Sequence, residues 1–456
     1  MTALIEITYF FSAILFIVGL KLLGSPSSAY RGNALSSFGM VLAVVATLFH
    51  QEIVSWDWII AGIALGSALG FYCAKSVKMT EMPEMVALLN GLGGLSSLLV
   101  GCAFYYENPQ VSFLPALSIC LSILIGGVTF TGSVIAWAKL CGVIMTRSRT
   151  FPGQKTFMLL LLTAALASSV LGSLFPAESN LLYTFLIAGS LILGLLFVLP
   201  IGGADMPVVI SLLNSYSGLA ACASGFVIQN NLLIVSGSLV GASGIILTSI
   251  MCKAMNRSLF HVLFQGFFSV ESLEQKLEKK IAKKLTPQDA YYLLESARSI
   301  LIVPGYGLAV AQAQHAVKEL SALFLENGAE VRYAIHPVAG RMPGHMNVLL
   351  AEAGISYDHL IEMDDINPLM STIDVCIVIG ANDVVNPSAK EDQNSAIYGM
   401  PIIEAHQAKQ VLVLKRSLAS GFAGIENPLF FRENTSMIFG DAKMTLQLLV
   451  GELKKK

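Results

Sequence analysis

The sequence predicts a membrane-embedded all-α bundle of about nine transmembrane helices, followed by an α/β domain built on a parallel sheet. Hydrophobic residues make up 55% of the 456 positions and charged residues 13%, which lies outside the range of soluble proteins. Residues 1–257 carry 10 of the 28 Lys and Arg and 8 of the 30 acidic residues, so the rest of the chain has an ordinary soluble composition. We therefore predict a transmembrane domain at 1–255, a linker helix at 256–285 and a soluble domain at 286–456.

A helix needs roughly 20 apolar residues to cross the hydrocarbon core of a bilayer. Nine stretches of the chain are long and apolar enough: residues 3–23, 33–50, 57–75, 84–105, 113–139, 156–175, 181–200, 207–228 and 232–253. The loops of one side carry basic residues, among them Lys21, Lys75, Lys139 and Lys253, whereas the opposite loops contain no Lys or Arg. The positive-inside rule then places the N-terminus outside and everything after Lys253 in the cytoplasm.

Several function classes are disfavoured by simple counts. The seven cysteines stand singly, without the paired spacing of a metal site or a disulfide framework, so we expect them to pack as small hydrophobic residues. A net charge of −2 gives no reason to expect a nucleic-acid partner. No basic run precedes the first apolar stretch, so we expect this stretch to remain as a membrane span and not to be removed as a signal peptide.

Polar side chains inside spans are costly in a bilayer and often mark a pathway. Asp205 precedes the eighth span, in which Ser211, Asn214 and Gly218 form one narrow polar stripe, and Asn90 lies within the fourth span. The ninth span carries a second set that could face this stripe: Ser236, Ser243, Gly244 and Thr248. Small polar residues also occur as simple helix packing, so the pattern alone leaves a pathway and packing equally open.

The segment after the last span predicts two helices. A charged amphipathic helix is predicted over residues 269–284, with an apolar stripe of three residues: Leu273, Leu277 and Ile281. We expect this helix to be a connector. A second helix is predicted from an N-cap at Thr286 to about Ala297, because proline and aspartate occupy its first and third positions.

The soluble domain opens with a glycine-rich turn. Residues 299–304 predict a short buried strand, Gly305-Tyr306-Gly307 a tight turn, and residues 308–326 a helix. This order brings backbone N–H groups against a pyrophosphate, as in Rossmann-like domains. Gly-x-Gly alone is a weak signal, and its position between strand and helix strengthens it. Val310 stands at the third glycine position, where we expect it to loosen the packing of helix against strand.

The residues that follow the later strands favour NADP over NAD. Strands are also predicted at 330–335, 374–379, 411–414 and 436–439. An acidic residue after the second strand would bind the ribose 2′-hydroxyl of NAD, but the chain has His336 there. The fourth strand leads into Lys415-Arg416-Ser417, at the edge where parallel sheets bind ligands, and two cations there favour a phosphate dianion. Asp383 follows the third strand, where such residues either approach the ligand or only hold the turn.

Seven strings in the chain resemble the beta subunit of the proton-translocating NAD(P) transhydrogenase family, and the resemblance covers essentially all 456 residues. It implies hydride transfer from NADH, held by a separate alpha subunit, to NADP bound from about residue 286 onward, driven by proton movement. It also implies a dimer of alpha–beta units in a bacterial inner membrane. The strings are residues 80–84, 203–218, 251–257, 305–307, 340–347, 380–383 and 415–416.

The resemblance also implies roles for individual residues. No side chain acts as acid or base on the hydride, because two nicotinamide rings meet directly and the protein supplies proximity and orientation. Positions tied to the proton path and its coupling are Asn90, Asp205, Asn214, Ser243, Gly244 and Asp383, the last near the nicotinamide. Cofactor-binding positions are Gly305, Tyr306, Gly307, Ala309, Val310, Val338, Ala339, Gly340, Arg341, Met342, Pro343, Gly380, Ala381, Asn382, Asp383, Lys415, Arg416, Ser417, Gly421, Phe422 and Ala423. Four of these would address the 2′-phosphate: Arg341, Lys415, Arg416 and Ser417.

Two positions depart from the family pattern. Some relatives have histidine where this chain has Asn90, and an amide cannot take up a proton near neutral pH. We therefore hypothesise that a histidine from a membrane helix of the alpha subunit supplies the protonatable group. Phe422 stands where the family often has tyrosine, so a hydroxyl contact to the cofactor from this position is absent.

Two other functions compete with this interpretation. A transporter or channel gated by a cytoplasmic NADP-sensing domain would predict a filter string or a substrate-cavity sequence, and the chain shows neither. A membrane-anchored dehydrogenase would need a domain for its own substrate, and about 170 residues after the linker leave little room for one.

Overall fold

The structure, a computed structural model, divides the chain into two compact units. One comprises Met1–Gly202 with Val209–Thr248, and the other comprises Gly203–Val208 with Ser249–Lys456. The residues that it describes are 2–49, 56–78, 81–108, 111–144, 151–175, 180–202, 205–255, 259, 282–341, 344–393, 395, 397–421 and 423–454.

The described part of the first 255 residues contains nine helices that are long and apolar enough to cross a membrane, which confirms the predicted number. The second helix begins at Pro26 and not at residue 33, because proline is well suited to the first turn of a helix and extends it toward Ser25. The nine helices are α1 Thr2–Leu23, α2 Pro26–Leu48, α3 Trp56–Ser76, α4 Met82–Glu107, α5 Phe113–Leu140, α6 Gln154–Leu174, α7 Asn180–Val198, α8 Met206–Val227 and α9 Asn231–Ala254.

Helices α8 and α9 pack with their backbones in close contact. A Cβ added to Gly218 would lie 2.5 Å from the Gly241 backbone nitrogen, so only glycine fits at this crossing. Ser215 Oγ donates to the Gly241 carbonyl at 2.7 Å and stays fully buried. Small residues drive helix association in lipid through such close approach, so this pair is held by backbone proximity and hydroxyl bonds.

The soluble domain is built on one six-stranded parallel sheet with strand order β3-β2-β1-β4-β5-β6. This is the order of a Rossmann-like domain, in which the connections reverse direction between β1 and β4. The strands are β1 Ser299–Pro304, β2 Glu330–Ile335, β3 Leu360–Glu362, β4 Val375–Ile379, β5 Gln410–Lys415 and β6 Thr435–Phe439. The α-helices are α10 Pro287–Glu295, α11 Tyr306–Val310, α12 Gln314–Glu326, α13 His345–Glu352, α14 Met363–Ile366, α15 Ser388–Glu391 and α16 Ala442–Lys454.

Each face of the sheet has its own hydrophobic core. On one face, Phe324 of α12 and Leu446 of α16 pack against strand residues such as Ile302. On the other, Met370 and Leu429 cover strand residues of opposite parity. Both cores are formed by residues between 282 and 453. This part of the chain therefore has the complete core of an independently folding domain.

Three details of this domain differ from the sequence-based expectation. The predicted helix at 308–326 is two helices, α11 and α12, because Gln312 adopts a left-handed conformation with φ of 49° between them. Strand β3 was not predicted, since three partly exposed residues give no apolar run. The predicted linker helix lies mostly outside the described residues, and its last residues are extended: Met437 N–H donates to the Lys283 carbonyl at 2.8 Å. Strand β6 is an edge strand, so its free side can pair with this segment.

Candidate functional site

The glycine turn after β1 is locked to the turn after β4. Gly305 N–H donates to the Ile379 carbonyl at 2.9 Å, and Gly307 N–H donates to the Gly380 carbonyl at 2.9 Å. Gly380 itself has a φ of +63° and a backbone that leaves no room for a side chain on Gly307. Since β1 and β4 flank the point at which the strand order reverses, the two turns lie where doubly wound sheets bind ligands.

Helix α11 packs on the sheet through residues other than Val310. The Val310 side chain is 47% exposed, whereas Leu308 and Ala309 are fully buried. The expectation that valine would loosen the packing of helix against strand is therefore wrong, because its side chain points away from the sheet. The small residue needed for close packing is Ala309.

His336 directly follows β2, at the position where NAD-binding domains have an acidic residue. The ring is 2% exposed, and both nitrogens bond to backbone groups: Nε2 donates to the Pro401 carbonyl at 2.8 Å, and Nδ1 accepts from Val338 N–H at 3.2 Å. Burial lowers the pKa of His336 to about 4, against smaller opposing effects of Pro401 and Asp364. The ring is therefore neutral near pH 7 and contributes no negative charge to the site.

Arg341, Tyr306 and His345 form a cluster that joins the 336–341 segment to the glycine turn. The Arg341 guanidinium carbon lies 4.5 Å from the centre of the Tyr306 ring, a cation–π contact. The backbone N–H of Arg341 donates to His345 Nδ1 at 3.0 Å, and the His345 ring centre is 6.1 Å from that of Tyr306. Burial, then the Arg341 charge, lowers the pKa of His345. The structure thus brings together two predicted segments and adds His345, which sequence reasoning did not single out.

Three polar residues lie at the end of β5 and differ in their surroundings, with Lys415 as the last residue of the strand and Arg416 and Ser417 after it. Arg416 and Ser417 are exposed, whereas the half-buried Lys415 donates from Nζ to the Ala419 carbonyl and lies 4.9 Å from the Phe430 ring centre. Burial lowers the pKa of Lys415, and the nearby Asp383 carboxylate opposes this. Arg416 and Ser417 are therefore available to an anion, while Lys415 also holds its own loop.

Asp383 fixes the segment around residues 421–423. Its Oδ2 accepts from Ala423 N–H at 2.9 Å, and a side chain on Gly421 would collide with the Asp383 carboxylate. The structure thereby brings Gly421 and Ala423 to the predicted Asp383 position. Met342, Pro343 and Phe422 lie outside the described residues.

Asparagine–proline pairs hold the loops of this edge, and the pair at Asn427 was not predicted from the sequence. Asn386, fully buried, donates from Nδ2 to the Glu426 carbonyl at 3.2 Å and accepts from Ser388 N–H at 3.0 Å. Asn427 donates to the Asn382 carbonyl at 2.9 Å and accepts from Leu429 N–H at 2.9 Å. Proline follows both asparagines, a dipeptide that marks turns and could have signalled these sites.

The polar residues of the membrane helices form hydrogen bonds at two helix–helix contacts, one between α4 and α8 and one between α8 and α9. Asn90 Nδ2 of α4 donates to the Ile210 carbonyl of α8 at 3.3 Å, and Thr248 Oγ1 of α9 donates to Ser211 Oγ at 3.1 Å. Gly244 is buried and abuts Ser215. Asn214 and Ser243 are partly buried, and the Ser243 hydroxyl bonds within its own helix. The α9-facing stripe of α8 thus includes Ser211 and Ser215.

Asp205 lies just before α8 and is 2% exposed. Its Oδ1 has no hydrogen-bond partner among the residues that the structure describes.

The geometry defines a class: a multi-pass membrane protein that carries a Rossmann-like domain. Comparison with known proteins gives the family. The sequence-family model described as NAD(P) transhydrogenase beta subunit matches residues 5–452 of this chain. Two curated relatives from Rhodospirillum rubrum, one assigned to a defined strain, are each named NAD(P) transhydrogenase subunit beta; each is 46% identical over 455 residues and covers 97% of both chains. The chain belongs to the NAD(P) transhydrogenase beta subunit family.

Proposed function

We propose that residues 286–456 bind NADP(H) and that the chain couples hydride transfer, from NADH on an alpha subunit, to proton translocation through residues 1–255. One observation carries the choice of NADP: a neutral His336, bonded to backbone by both nitrogens, stands where NAD-binding domains have a carboxylate. This position therefore carries no negative charge that would repel a 2′-phosphate. Membership of the family supports the remainder of the proposal.

The residues of the sheet edge fit a dinucleotide with a 2′-phosphate. We assign the pyrophosphate to the edge of the sheet formed by the turns after β1 and β4, and the 2′-phosphate to Arg416 and Ser417, which are exposed after β5. Arg341, stacked on Tyr306, adds positive charge beside the glycine turn. Asp383 holds the 421–423 segment at the nicotinamide end. Bound NADP+ would supply the redox chemistry, and the residues of this chain would bind and orient it.

In the membrane we propose that the coupled proton passes by Asp205 and the polar residues of α4, α8 and α9. The burial of Asp205 and the Asn90 contact to the α8 backbone support this path. Asn214, Ser243 and Gly244 complete the proposed set. Because Asn90 cannot titrate near neutral pH, we propose that a histidine on a membrane helix of the alpha subunit supplies the protonatable group. Replacing that histidine by alanine should abolish pumping; unchanged pumping would contradict this assignment.

The proposed assembly is a dimer of alpha–beta units in a bacterial inner membrane, with the N-terminus outside and the soluble domain in the cytoplasm. The basic loops on one side of the nine helices support this orientation.

Sealed vesicles containing this chain and its alpha partner test the whole proposal. Reduction of an NADP analogue by NADH should accelerate when a proton gradient is applied and slow when an uncoupler is added. A redox-sensing channel would give ion flux without hydride transfer. A membrane-anchored dehydrogenase would give turnover that ignores the gradient. Either result would replace the proposed function.

A further inference from the structure

Within the second compact unit, residues from α8, α9 and the turn after β2 meet in a small apolar cluster. Val208 in the first turn of α8 and Met251 and Cys252 in the last turn of α9 are at most 3% exposed, and Val338 packs against them. All four residues belong to the same unit as the soluble sheet. The proposed function gives this cluster no role.

The backbone of Val338 is fixed by the turn that follows β2. Val338 N–H donates to Nδ1 of the buried His336 at 3.2 Å, and Ala339 N–H donates to the His336 carbonyl at 3.0 Å. The same segment continues to Arg341, which is stacked on Tyr306 of the glycine turn. A shift of this segment therefore also moves Val338, and a valine side chain follows its backbone because it is stiff about its first torsion.

On the helix side, the cluster leads to Asp205. Asp205 begins the helical turn that continues into α8, and residues three apart on a helix lie on the same face, so Asp205 and Val208 are neighbours. The Asp205 carboxylate also interacts electrostatically with the Cys252 thiol. Residues 205–208 are described without a gap, so one continuous turn joins this carboxylate to the surface that Val338 contacts.

We propose that the contact of Val338 with this cluster couples the cofactor edge to Asp205. When the 336–341 segment shifts during turnover, Val338 presses on or releases the first turn of α8 and thereby repositions the Asp205 carboxyl. Close-packed apolar groups transmit such a shift because they leave little free volume to absorb it. Val208 and Met251 thus act as positioning residues. The inference rests on the proposed function, because it takes the cofactor edge and Asp205 as the two coupled sites.

The test uses sealed vesicles that contain the full chain with its alpha partner. Reduction of an NADP analogue by NADH is measured with a proton gradient and with an uncoupler, and the ratio of the two rates does not depend on the amount of protein. Val208→Ala should lower this ratio about tenfold, and Met251→Ala should lower it similarly. Val209→Ala is the matched control and should leave the ratio within about twofold: Val209 is equally buried, but it lies on another face of α8, outside the cluster.

A double-mutant cycle separates coupling from packing. Val338→Ala should lower the ratio by itself, and the Val208→Ala/Val338→Ala double variant should lower it no further than the larger single effect, because both substitutions remove the same contact. In the Val209→Ala/Val338→Ala variant the two effects should multiply, because these residues share no contact.

Other outcomes overturn the inference. Equal losses in Val208→Ala and Val209→Ala would make the cluster helix packing only. Multiplied losses in the Val208→Ala/Val338→Ala variant would show that the two valines act independently. If the Val208→Ala chain does not accumulate in membranes, a normal ratio in Met251→Ala would reject the role of the cluster. A normal ratio in Val208→Ala beside a lowered ratio in Asp205→Asn would reject the contact alone, whereas a normal ratio in Asp205→Asn would reject the proposed function and this inference with it.

Discussion

Gly305 and Ala381 approach each other so closely that a Cβ on Gly305 would lie 2.4 Å from the Ala381 Cα atom. Both positions belong to the backbone of turns that leave neighbouring strands, β1 and β4, so neither can shift without moving its strand. The contact therefore sets the spacing of the two turns that form the proposed cofactor edge.

Gly305→Ala should lower the free energy of unfolding of the isolated soluble domain by about 3 kcal/mol, because the added methyl group overlaps fixed backbone. Denaturant unfolding of residues 282–456 measures this. Gly451→Ala is the matched control: nothing lies within 4 Å of a Cβ at this exposed position in α16, so alanine should be neutral or stabilising. Equal effects of the two substitutions would mean that the two turns can separate without cost.

Arg416→Ala should weaken NADP binding to the isolated domain by roughly tenfold to a hundredfold, the range expected for a lost charge-assisted hydrogen bond. NAD binding should change little, because NAD has no 2′-phosphate. Isothermal titration with both nucleotides measures the difference, with Lys409→Ala as a control that removes another exposed cation. A similar loss for both nucleotides would place the 2′-phosphate elsewhere. Lys415→Ala should also disturb the loop that it holds through Ala419, so it is the less specific variant.

His336 should make the soluble domain less stable in mild acid. Its pKa is about 4 in the folded domain and about 6.5 in an unfolded chain, so the unfolded chain takes up a proton first as pH falls. The stability that His336 provides is complete above pH ~6.5 and should decrease by about 3 kcal/mol on going to pH ~4. Unfolding of the wild-type domain and of His336→Gln, measured from pH 7 to 4, isolates this effect from other titrating groups. The same slope in both proteins would show that His336 takes up its proton at the same pH in the folded and the unfolded domain.

Asp205→Asn should reduce gradient-driven hydride transfer in vesicles by at least about tenfold, because an amide at this position cannot exchange a proton. NADP affinity of the full chain should change little, since Asp205 lies outside the soluble sheet. Fluorescence titration with NADPH measures that affinity in the same preparation. An accompanying loss of NADP affinity would show instead that Asp205 is needed for folding.

The sequence predicted the elements wherever hydropathy alone determines them. The ends of β1 at Ser299 and Pro304 agree with the structure because a continuous apolar run stops there. The start of α2 and the left-handed Gln312 were missed, since each depends on local backbone geometry that leaves no hydrophobic signal. Strand β3, a short partly exposed edge strand, was missed for the same reason.

The candidate site was predictable as far as topology determines it. Turns after adjacent parallel strands must meet, so the contact of 305–307 with 380–383 follows once the strand order is known. The bonds of Asn386 to Glu426 and of Asn427 to Asn382 join residues 40 and 45 positions apart, and no local pattern specifies such partners. The role of His345 likewise requires knowledge of how its own loop folds back on Arg341.

The two asparagine–proline pairs have a consequence for the chemical lifetime of the domain. Asparagine deamidates when the backbone nitrogen of the next residue attacks the asparagine side-chain amide. Proline has no N–H to support that reaction. Asn386 and Asn427, which tie the loops of the cofactor edge together, are thereby protected from deamidation. Asn327 is followed by glycine and exposed at the end of α12, so ageing of stored protein should begin there, far from the bonds that hold the site.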